Sequence, residues 1–480
     1  MRNIDFKDYD GVNYLYNDDT GIIIPKEIIE KTENSYFDLA NKQQIEILDK
    51  YIEYINNQKI EYNKEIDKNY HIKNGIKQLT FKMTEQCNLR CRYCTYSDHY
   101  QETASYSNKH LDFETSKKAV DIYMDYYLKN KEISGNDSPF FTFYGGEPLL
   151  YFVLIEKIVN YINMKYGKYM PKYLMTTNGM LFTKKNSDFL KSNNFHLSIS
   201  IDGYQENHDR NRITTSGDPT YHVVIENIDK YLIDYENWNI FMCFDTLTDF
   251  DKLLNKKCLF GKGDNYFFNK IAKITPISNV NTNYYEQFTK KDFDLFKRKL
   301  NKYKKIYINQ SIKNENTDPI LKILFEYELI LLYDRMKFVI PNSMYKFQLG
   351  LCTPGDKIFL LPNGNFSLCE KVPEFSEFII GNVNVGLDYK LIKKLIEKTN
   401  NDFFKNCNHC PIQNNCMYCF SIMKKNDNDE FYIDTKLCKL AYKSKVTQLS
   451  DMVTLIKNDS KIFDEFFISK YKKENIYDKL

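Results

Sequence analysis

QLTFKMTEQCNLRCRYC, residues 78–94, opens as a β-prone run and closes as a cysteine loop. A strand that hands the chain to a polar loop at its carboxyl end is the repeating half of a βα unit. The same unit recurs downstream. Strands are expected over 78–83, 140–144, 173–177, 197–201, 240–244 and 271–275, with helical stretches such as 113–128 and 152–164 between them. The reading is α/β: a partial (β/α)6 TIM-like barrel whose chemistry gathers at the carboxyl ends of its strands.

Outward from the barrel the pattern changes. Before it, Tyr14-Leu15-Tyr16-Asn17-Asp18-Asp19-Thr20-Gly21-Ile22-Ile23-Ile24 places two β-prone runs around an Asp-rich turn with Gly, a hairpin signal. Leu39, Ile45, Leu48, Ile52 and Ile55 then recur near helical spacing over 36–54. After it come a long helical region over 290–334, a Gly-, Pro- and Asn-rich segment holding seven of the twelve cysteines within 352–438, and a closing helix with Leu449, Met452, Leu455, Ile456 and Phe463.

Charge and hydropathy narrow the function classes. Sixty-seven basic against 64 acidic residues leave +3 on 480 residues, too balanced for nucleic acid or a membrane surface as main partner. No run approaches the roughly 18 apolar residues of a membrane span. Met1-Arg2-Asn3-Ile4-Asp5-Phe6-Lys7 lacks a signal-peptide core, so a cytoplasmic location is expected. In a reducing compartment twelve cysteines point to metal rather than to disulfides.

Cys87, Cys91 and Cys94 stand in a C-x3-C-x2-C loop. Three thiolates on so short a loop can hold three irons of a cubane and leave the fourth open. A zinc site completed by His99 is the alternative. Tyr144-Gly145-Gly146-Glu147-Pro148 follows the second strand; its glycines permit close backbone approach to a ligand and its carboxylate can accept from an ammonium group, against the alternative of a plain β-turn. Thr176-Thr177-Asn178-Gly179 follows the third strand, and Ser198-Ile199-Ser200-Ile201-Asp202-Gly203 with His208-Asp209 and Arg212 the fourth.

The cysteine loop, with an aromatic before its last cysteine, resembles the signature of the radical S-adenosylmethionine superfamily. That resemblance implies a 4Fe–4S cluster whose free iron chelates the methionine moiety, and a 5′-deoxyadenosyl radical as product of its reductive cleavage. It implies that Gly145, Gly146, Glu147 and Pro148 bind the methionine amino group, that Tyr93 lies near the adenine unless it is a core aromatic, and that Asn178 and Ser200 make polar contacts. Asp202 and Arg212 either contact the cofactor or pair with each other.

Cys352-x11-Gly364-x4-Cys369, Cys407-x2-Cys410-x5-Cys416-x2-Cys419 and Cys438 are similar to the SPASM domain, which usually carries two auxiliary 4Fe–4S clusters. The last pair is two residues apart where three is commoner. Position by position, the resemblance assigns Cys407, Cys410, Cys416 and Cys438 to one cluster and Cys352, Cys369 and Cys419 to the other. Sulfatase maturases add a cysteine shortly before the position of Cys352; residues 343–351 contain none, which leaves an open auxiliary iron. Cys243 reads as a small buried hydrophobe, Cys258 as a distant alternative ligand, and Glu370 as either an acidic proton acceptor or a solvated glutamate.

The expectation is an oxidoreductase-type peptide maturase with S-adenosylmethionine and three 4Fe–4S clusters. It would join a cysteine sulfur to carbon in a ribosomally made precursor peptide, as in sactipeptide or ranthipeptide maturation. Relatives of this type begin with a winged-helix-like domain that captures the leader as an added strand. The expected divisions are 1–75 for that small α+β domain, 76–340 for the barrel, 341–445 for the SPASM domain and 446–480 for a helical tail. Flavodoxin or ferredoxin would be the reductant. The alternatives are a formylglycine-generating sulfatase maturase, a carbon–carbon cross-linking maturase, and a zinc scaffold without catalysis.

Overall fold

Strand β1 (Asn3–Lys7) buries Ile4 and Phe6 between exposed Asn3, Asp5 and Lys7, the alternation of a sheet wet on one face. It pairs antiparallel with β2 (Asn13–Asn17), and β2 with β3 (Ile23–Pro25), in the order β1-β2-β3. The expected hairpin is therefore β2–β3, with Tyr16 opposite Ile23, and β1 adds a third strand that two apolar residues alone do not announce. The structure, a computed structural model, describes residues 3–18, 21, 23–27, 66–100, 105–134, 138–255, 269–278, 282–313, 315, 317–337, 352–402, 407, 410–416 and 418–458. The helix expected over 36–54, Cys258, residues 343–351 and Phe463 lie outside the described residues.

Helix α1 (Lys68–Asn74) leads into β4 (Gln78–Lys82). Then follow α2 (Phe113–Ser134), β5 (Phe140–Tyr144), α3 (Phe152–Tyr166), β6 (Lys172–Thr177), α4 (Lys184–Ser192), β7 (His196–Ser200), α5 (Gln205–Asn211), α6 (Tyr221–Tyr231), β8 (Trp238–Phe244), α7 (Phe250–Leu253) and β9 (Ile271–Pro276). The six strands from β4 to β9 are parallel neighbours in chain order, each end within two residues of its expected place. Phe81, Phe143 and Phe195 are fully buried and stack at 5.2 and 5.6 Å between ring centres. Both faces of a parallel sheet are covered, so all five residues of β4 are buried, Lys82 included.

The long helical region is two helices, α8 (Lys290–Ile312) and α9 (Pro319–Lys337). Proline at the first position of α9 lacks an N–H and bars helix from the residue before it, which breaks the run. Asp318 caps the new helix through the Ile320 N–H at 2.8 Å.

Strand β10 (Lys357–Leu360) then returns to lie parallel beside β4, as a seventh parallel strand, and β11 (Asn365–Ser367), β12 (Ile379–Asn382) and β13 (Gly386–Leu387) extend the sheet antiparallel to ten strands. The segment expected to start a separate cluster domain thus begins by lengthening the barrel sheet. Helix α10 (Tyr389–Asp402), a two-stranded antiparallel ladder of β14 (Lys424–Lys425) and β15 (Phe431–Tyr432), and helix α11 (Thr435–Asn458) follow, with Leu449, Met452 and Leu455 fully buried on α11.

The chain forms two compact units. One comprises Met1–Glu65, Lys304–Cys352 and Glu397–Leu480; the other, Ile66–Tyr303 and Thr353–Ile396. Residues 66–75 therefore go with the barrel rather than with the N-terminal sheet. The cause is His71 on α1, wholly buried, whose ring nitrogens meet the Pro354 carbonyl at 3.1 Å and the Tyr389 hydroxyl at 3.2 Å.

Candidate active site

Loop 87–94 leaves the carboxyl end of β4 and is laid against residues 211–214. Arg90 N–H donates to the Ile213 carbonyl at 2.8 Å and Arg92 N–H to the Asn211 carbonyl at 3.0 Å. Donors turn toward all three sulfurs: Leu89 N–H and Asn178 Nδ2 toward Cys87 Sγ at 3.4 and 3.8 Å, Arg212 Nη1 toward Cys91 Sγ at 3.9 Å, and Tyr96 N–H toward Cys94 Sγ at 3.5 Å. Burial, and then the Glu147 charge, pushes the Cys87 thiol up to about 12. Burial likewise raises the Cys91 thiol against the opposing pull of Arg212. Metal uptake must displace these protons. Three soft sulfur donors, each facing a hydrogen-bond donor, fit an iron–sulfur cluster. His99, the candidate fourth zinc ligand, spends Nδ1 on Asn283 Oδ1 at 2.7 Å and packs edge-on to Tyr284.

The two glycines after β5 face the chain itself rather than open space for a ligand. A Cβ on Gly145 would lie 2.6 Å from the Thr84 carbonyl oxygen, and one on Gly146 2.0 Å from that of Gln86. In the Cβ direction their close approach is to the start of the cysteine loop. Gly146 and Glu147 N–H groups donate to those same carbonyls at 2.8 and 2.9 Å. Glu147 is 1% exposed, and its carboxylate accepts from Leu149 N–H at 3.0 Å, Thr177 Oγ1 at 2.8 Å and Asn178 N–H at 2.8 Å. A carboxylate offers about four acceptor positions, so the Gly-Gly-Glu-Pro turn and the Thr-Asn-Gly corner consume most of them. Burial raises its pKa to about 7 despite these donors. Pro148 starts a short 3-10 turn directly after it.

Asp202 is the hub of the third cluster of groups and is itself wholly buried. Its Oδ2 accepts from Arg212 Nε at 3.0 Å and the Tyr93 hydroxyl at 2.5 Å, and its Oδ1 from the Cys243 N–H at 2.9 Å. Of the two alternatives for Asp202 and Arg212, the structure shows the direct pair. Arg212 also lies 5.4 Å over the Tyr93 ring. Arg212 is held from behind: its carbonyl accepts from Thr220 Oγ1 at 2.7 Å, and Thr220 meets His208 Nε2 at 3.0 Å. Ser200, half-buried, closes β7 just before this hub. Burial, and then Asp202, raise the Cys243 thiol to about 11, with Arg212 and Tyr93 in the same surroundings.

Sequence reasoning also passed over Asp245. It forms a two-armed ion pair with Arg210 at 2.6 and 2.8 Å and accepts from Tyr284 at 2.7 Å. A carboxylate immediately after a barrel strand is the available signal for it.

Residues 81–254 match the family described as Radical SAM superfamily. This segment of the barrel is similar to the radical SAM superfamily. An uncharacterised protein of Methanocaldococcus jannaschii is 29% identical over 66% of this chain and 93% of its own. A cysteine-type anaerobic sulfatase-maturating enzyme of Clostridium novyi is 26% identical over 47% of this chain and 59% of its own. A radical SAM cyclopropyl synthase of Paramaledivibacter caminithermalis is 23% identical over 78% and 74%. The solved structure of native anSMEcpe with bound AdoMet and Kp18Cys peptide superposes with a TM-score of 0.53 over 82% of this chain and 99% of that one; at 18% identity this shows a shared fold.

Inside the barrel, Lys82 joins three segments. Its ammonium, 2% exposed, pairs with Glu85 at 2.7 Å and Glu374 at 2.9 Å, and Glu85 also accepts from Ser107 at 2.5 Å. Glu374 follows Cys369 and Glu370 in the same turn region. Glu370 contributes charge to the surroundings of Tyr144 and Lys273.

The other unit gathers Cys407, Cys410, Cys416 and Cys438. Burial and then the neighbouring Cys410, Cys416 and Cys438 push the Cys407 thiol up to about 12, and burial lifts Cys416 to about 11. The four sulfurs therefore share one neighbourhood. Among the described residues no three Cys, His, Asp or Glu side chains stand as a ready site for a single metal ion; a cubane spreads its thiolates more widely than one zinc does. Of the remaining trio, Cys352 and Cys419 belong to this unit and Cys369 to the barrel unit.

Proposed function

We propose that the protein is a radical SAM peptide maturase that joins a cysteine sulfur to a carbon of another residue in a ribosomally made precursor. The observation that carries this reading is the pairing of a three-cysteine radical SAM barrel with a second, separate gathering of four cysteine thiols. Bound at Cys87, Cys91 and Cys94, a 4Fe–4S cluster would supply the electron that cleaves S-adenosylmethionine. Arg212 and Asn178 place a cation and an amide beside two of those sulfurs, and Asp202 fixes Arg212 and Tyr93. Glu147 keeps one acceptor position for the methionine ammonium while it braces the strand ends. Cys407, Cys410, Cys416 and Cys438 hold a second cluster in this reading; a third, on Cys352, Cys369 and Cys419, rests on the sequence resemblance alone. The β1–β3 sheet is the candidate seat for the leader peptide, and flavodoxin or ferredoxin the candidate reductant.

A sulfatase-maturating activity is the second reading, favoured by relatives of that name and by the shared fold. Mass spectrometry separates the two. The anaerobically reconstituted protein, given S-adenosylmethionine, a reductant and the cysteine-containing peptide encoded beside it, should remove two hydrogens, about 2 Da, per bridge while the sulfur is retained. Loss of the sulfur with gain of an aldehyde would replace this proposal with formylglycine formation. An intact cysteine in a carbon–carbon bridged product would replace the thioether.

A further inference from the structure

Within the four-cysteine unit, the N-terminal sheet and the cysteine loop share a buried polar node. Tyr16, Asp18 and Asn415 are 1%, 3% and 3% exposed. The Asn415 side-chain amide donates to Asp18 Oδ1 at 2.6 Å and to the Tyr16 hydroxyl, which donates to the same carboxylate oxygen at 3.3 Å. Asn415 ends the short 3-10 turn Gln413–Asn415 and is the residue immediately before Cys416. Its own amide oxygen is buried without a hydrogen-bond partner among the described residues, so the nitrogen is the atom that fixes this side chain.

The same sheet is tied to the helix that carries Cys438. The Tyr9 hydroxyl donates to Asp451 at 2.6 Å, and Lys457 pairs with Asp10 at 2.7 Å and Asp8 at 3.2 Å. An apolar contact would seal the Asn415 position without burying a carboxylate. What a buried, hydrogen-bonded acid adds is direction: it sets where Asn415 points and so where the backbone delivers Cys416.

We propose that Tyr16 and Asp18 position Cys416 through Asn415, so that the N-terminal sheet and a cluster on the four cysteines order each other. This deepens the proposed function and rests on its reading of Cys407, Cys410, Cys416 and Cys438 as cluster ligands. It makes the sheet a part of the cluster site as well as the seat for a peptide. Tyr16 lies on the middle strand, opposite Ile23 of β3, so a strand added beside β3 acts on the same node. Coupling of this kind is reciprocal: what the sheet does for cluster retention, the cluster does for the sheet.

The test uses the full chain, reconstituted anaerobically with iron and sulfide. Asn415→Asp replaces the amide that donates to Asp18 across 2.6 Å by a second acceptor, so the bond that fixes this side chain is lost. It should bind about four fewer irons per chain, one cubane, and lose the matching electron paramagnetic resonance signal, while the barrel still cleaves S-adenosylmethionine. The double variant Asp18→Asn with Asn415→Asp restores donor and acceptor in reversed order and should recover both iron and signal. In the wild type, hydrogen exchange at residues 13–18 should slow on cluster loading, and in Asn415→Asp it should not. Full iron in Asn415→Asp, or iron lost in that variant and not recovered by the double one, would overturn the proposal. A wild-type chain that binds only about four irons in all would instead overturn the four-cysteine reading, and the inference with it.

Discussion

The three-cysteine loop and the four-cysteine site are fastened by different means. The first sits on strand ends whose positions a ten-stranded sheet dictates, and its neighbours are buried charges with fixed partners: Asp202 with Arg212, Glu147 with three donors, Lys82 with Glu85. The second sits on turns and on the first turn of α11, and one amide, Asn415, stands between its loop and the nearest sheet. The barrel site is thus braced by its own buried pairs, whereas in the proposed reading the other would draw more of its order from the cluster it holds. Loading and mutation should separate the two sites.

The largest effect is expected from replacing Cys87, Cys91 and Cys94 together by Ala. Cleavage of S-adenosylmethionine should fall to background while iron on the second site persists. Iron lost from both would mean that the sites assemble as one, against the contrast drawn here.

Next comes Asp202→Ala. It leaves Arg212 buried without its counter-ion and frees the Tyr93 hydroxyl and the Cys243 N–H, a change in the class that costs about 3–5 kcal/mol. Lys457→Ala in the other unit removes a half-exposed ammonium that pairs with Asp10 and Asp8, and should cost less than Asp202→Ala. Denaturant melts compare the two, and similar losses would erase the distinction between a charge-braced and a loosely braced site.

Glu147→Gln should act more mildly. An amide NH2 must face one of the three donors now met by the carboxylate, and the charge offered to an ammonium group is gone. One charge-assisted bond of about 1.5–3 kcal/mol corresponds to roughly a ten- to hundredfold rise in the Kd for S-adenosylmethionine, with the barrel's iron retained. An unchanged Kd in equilibrium binding would leave Glu147 a brace alone.

The strands of the barrel were legible because each couples a short β-branched or aromatic run to a polar turn, and motif residues fall just past them. Their partners were less so. Asp202 and Arg212 are ten residues apart, and nothing in the spacing tells a cofactor contact from a mutual pair; only the geometry gives the 3.0 Å bond. The glycines after β5 were legible as a close approach, but not as an approach to Thr84 and Gln86. The return of β10 beside β4 is a pairing between residues some 280 apart, which no local pattern encodes. Asn415 looks like any turn asparagine until Asp18, nearly 400 positions earlier, lies against it.

The smallest expected effect tests the clamp that assigns residues 66–75 to the barrel. A carbonyl can only accept, so His71 Nε2 donates to Pro354 and Nδ1 accepts from Tyr389, itself 3.1 Å from the Tyr126 hydroxyl. Nε2 can donate in either state, but acceptance at Nδ1 requires the neutral ring, and burial lowers the His71 pKa from 6.5 to about 4. A Cβ on Gly355 would lie 2.4 Å from Nε2, so the loop packs directly on the ring. Between these values the unfolded chain binds a proton that the folded ring refuses. The contribution of His71 to stability is therefore whole above pH 6.5 and falls as acid is added, by up to about 1.4 kcal/mol per pH unit until about pH 4. Burial lowers His196 and His208 in the same unit, so His71 accounts for a share of the slope. The four-cysteine unit carries one histidine in its sequence, His409. His71→Gln keeps a donor for Pro354 and an acceptor for Tyr389 but cannot titrate. Measured by urea melts from pH 7 down to about 4.5, within the window where neutral His71 is at a disadvantage, the variant should gain on the wild type as the pH falls. If the difference stays constant across that range, His71 is protonated in the fold and the clamp is not the hydrogen-bonded neutral ring.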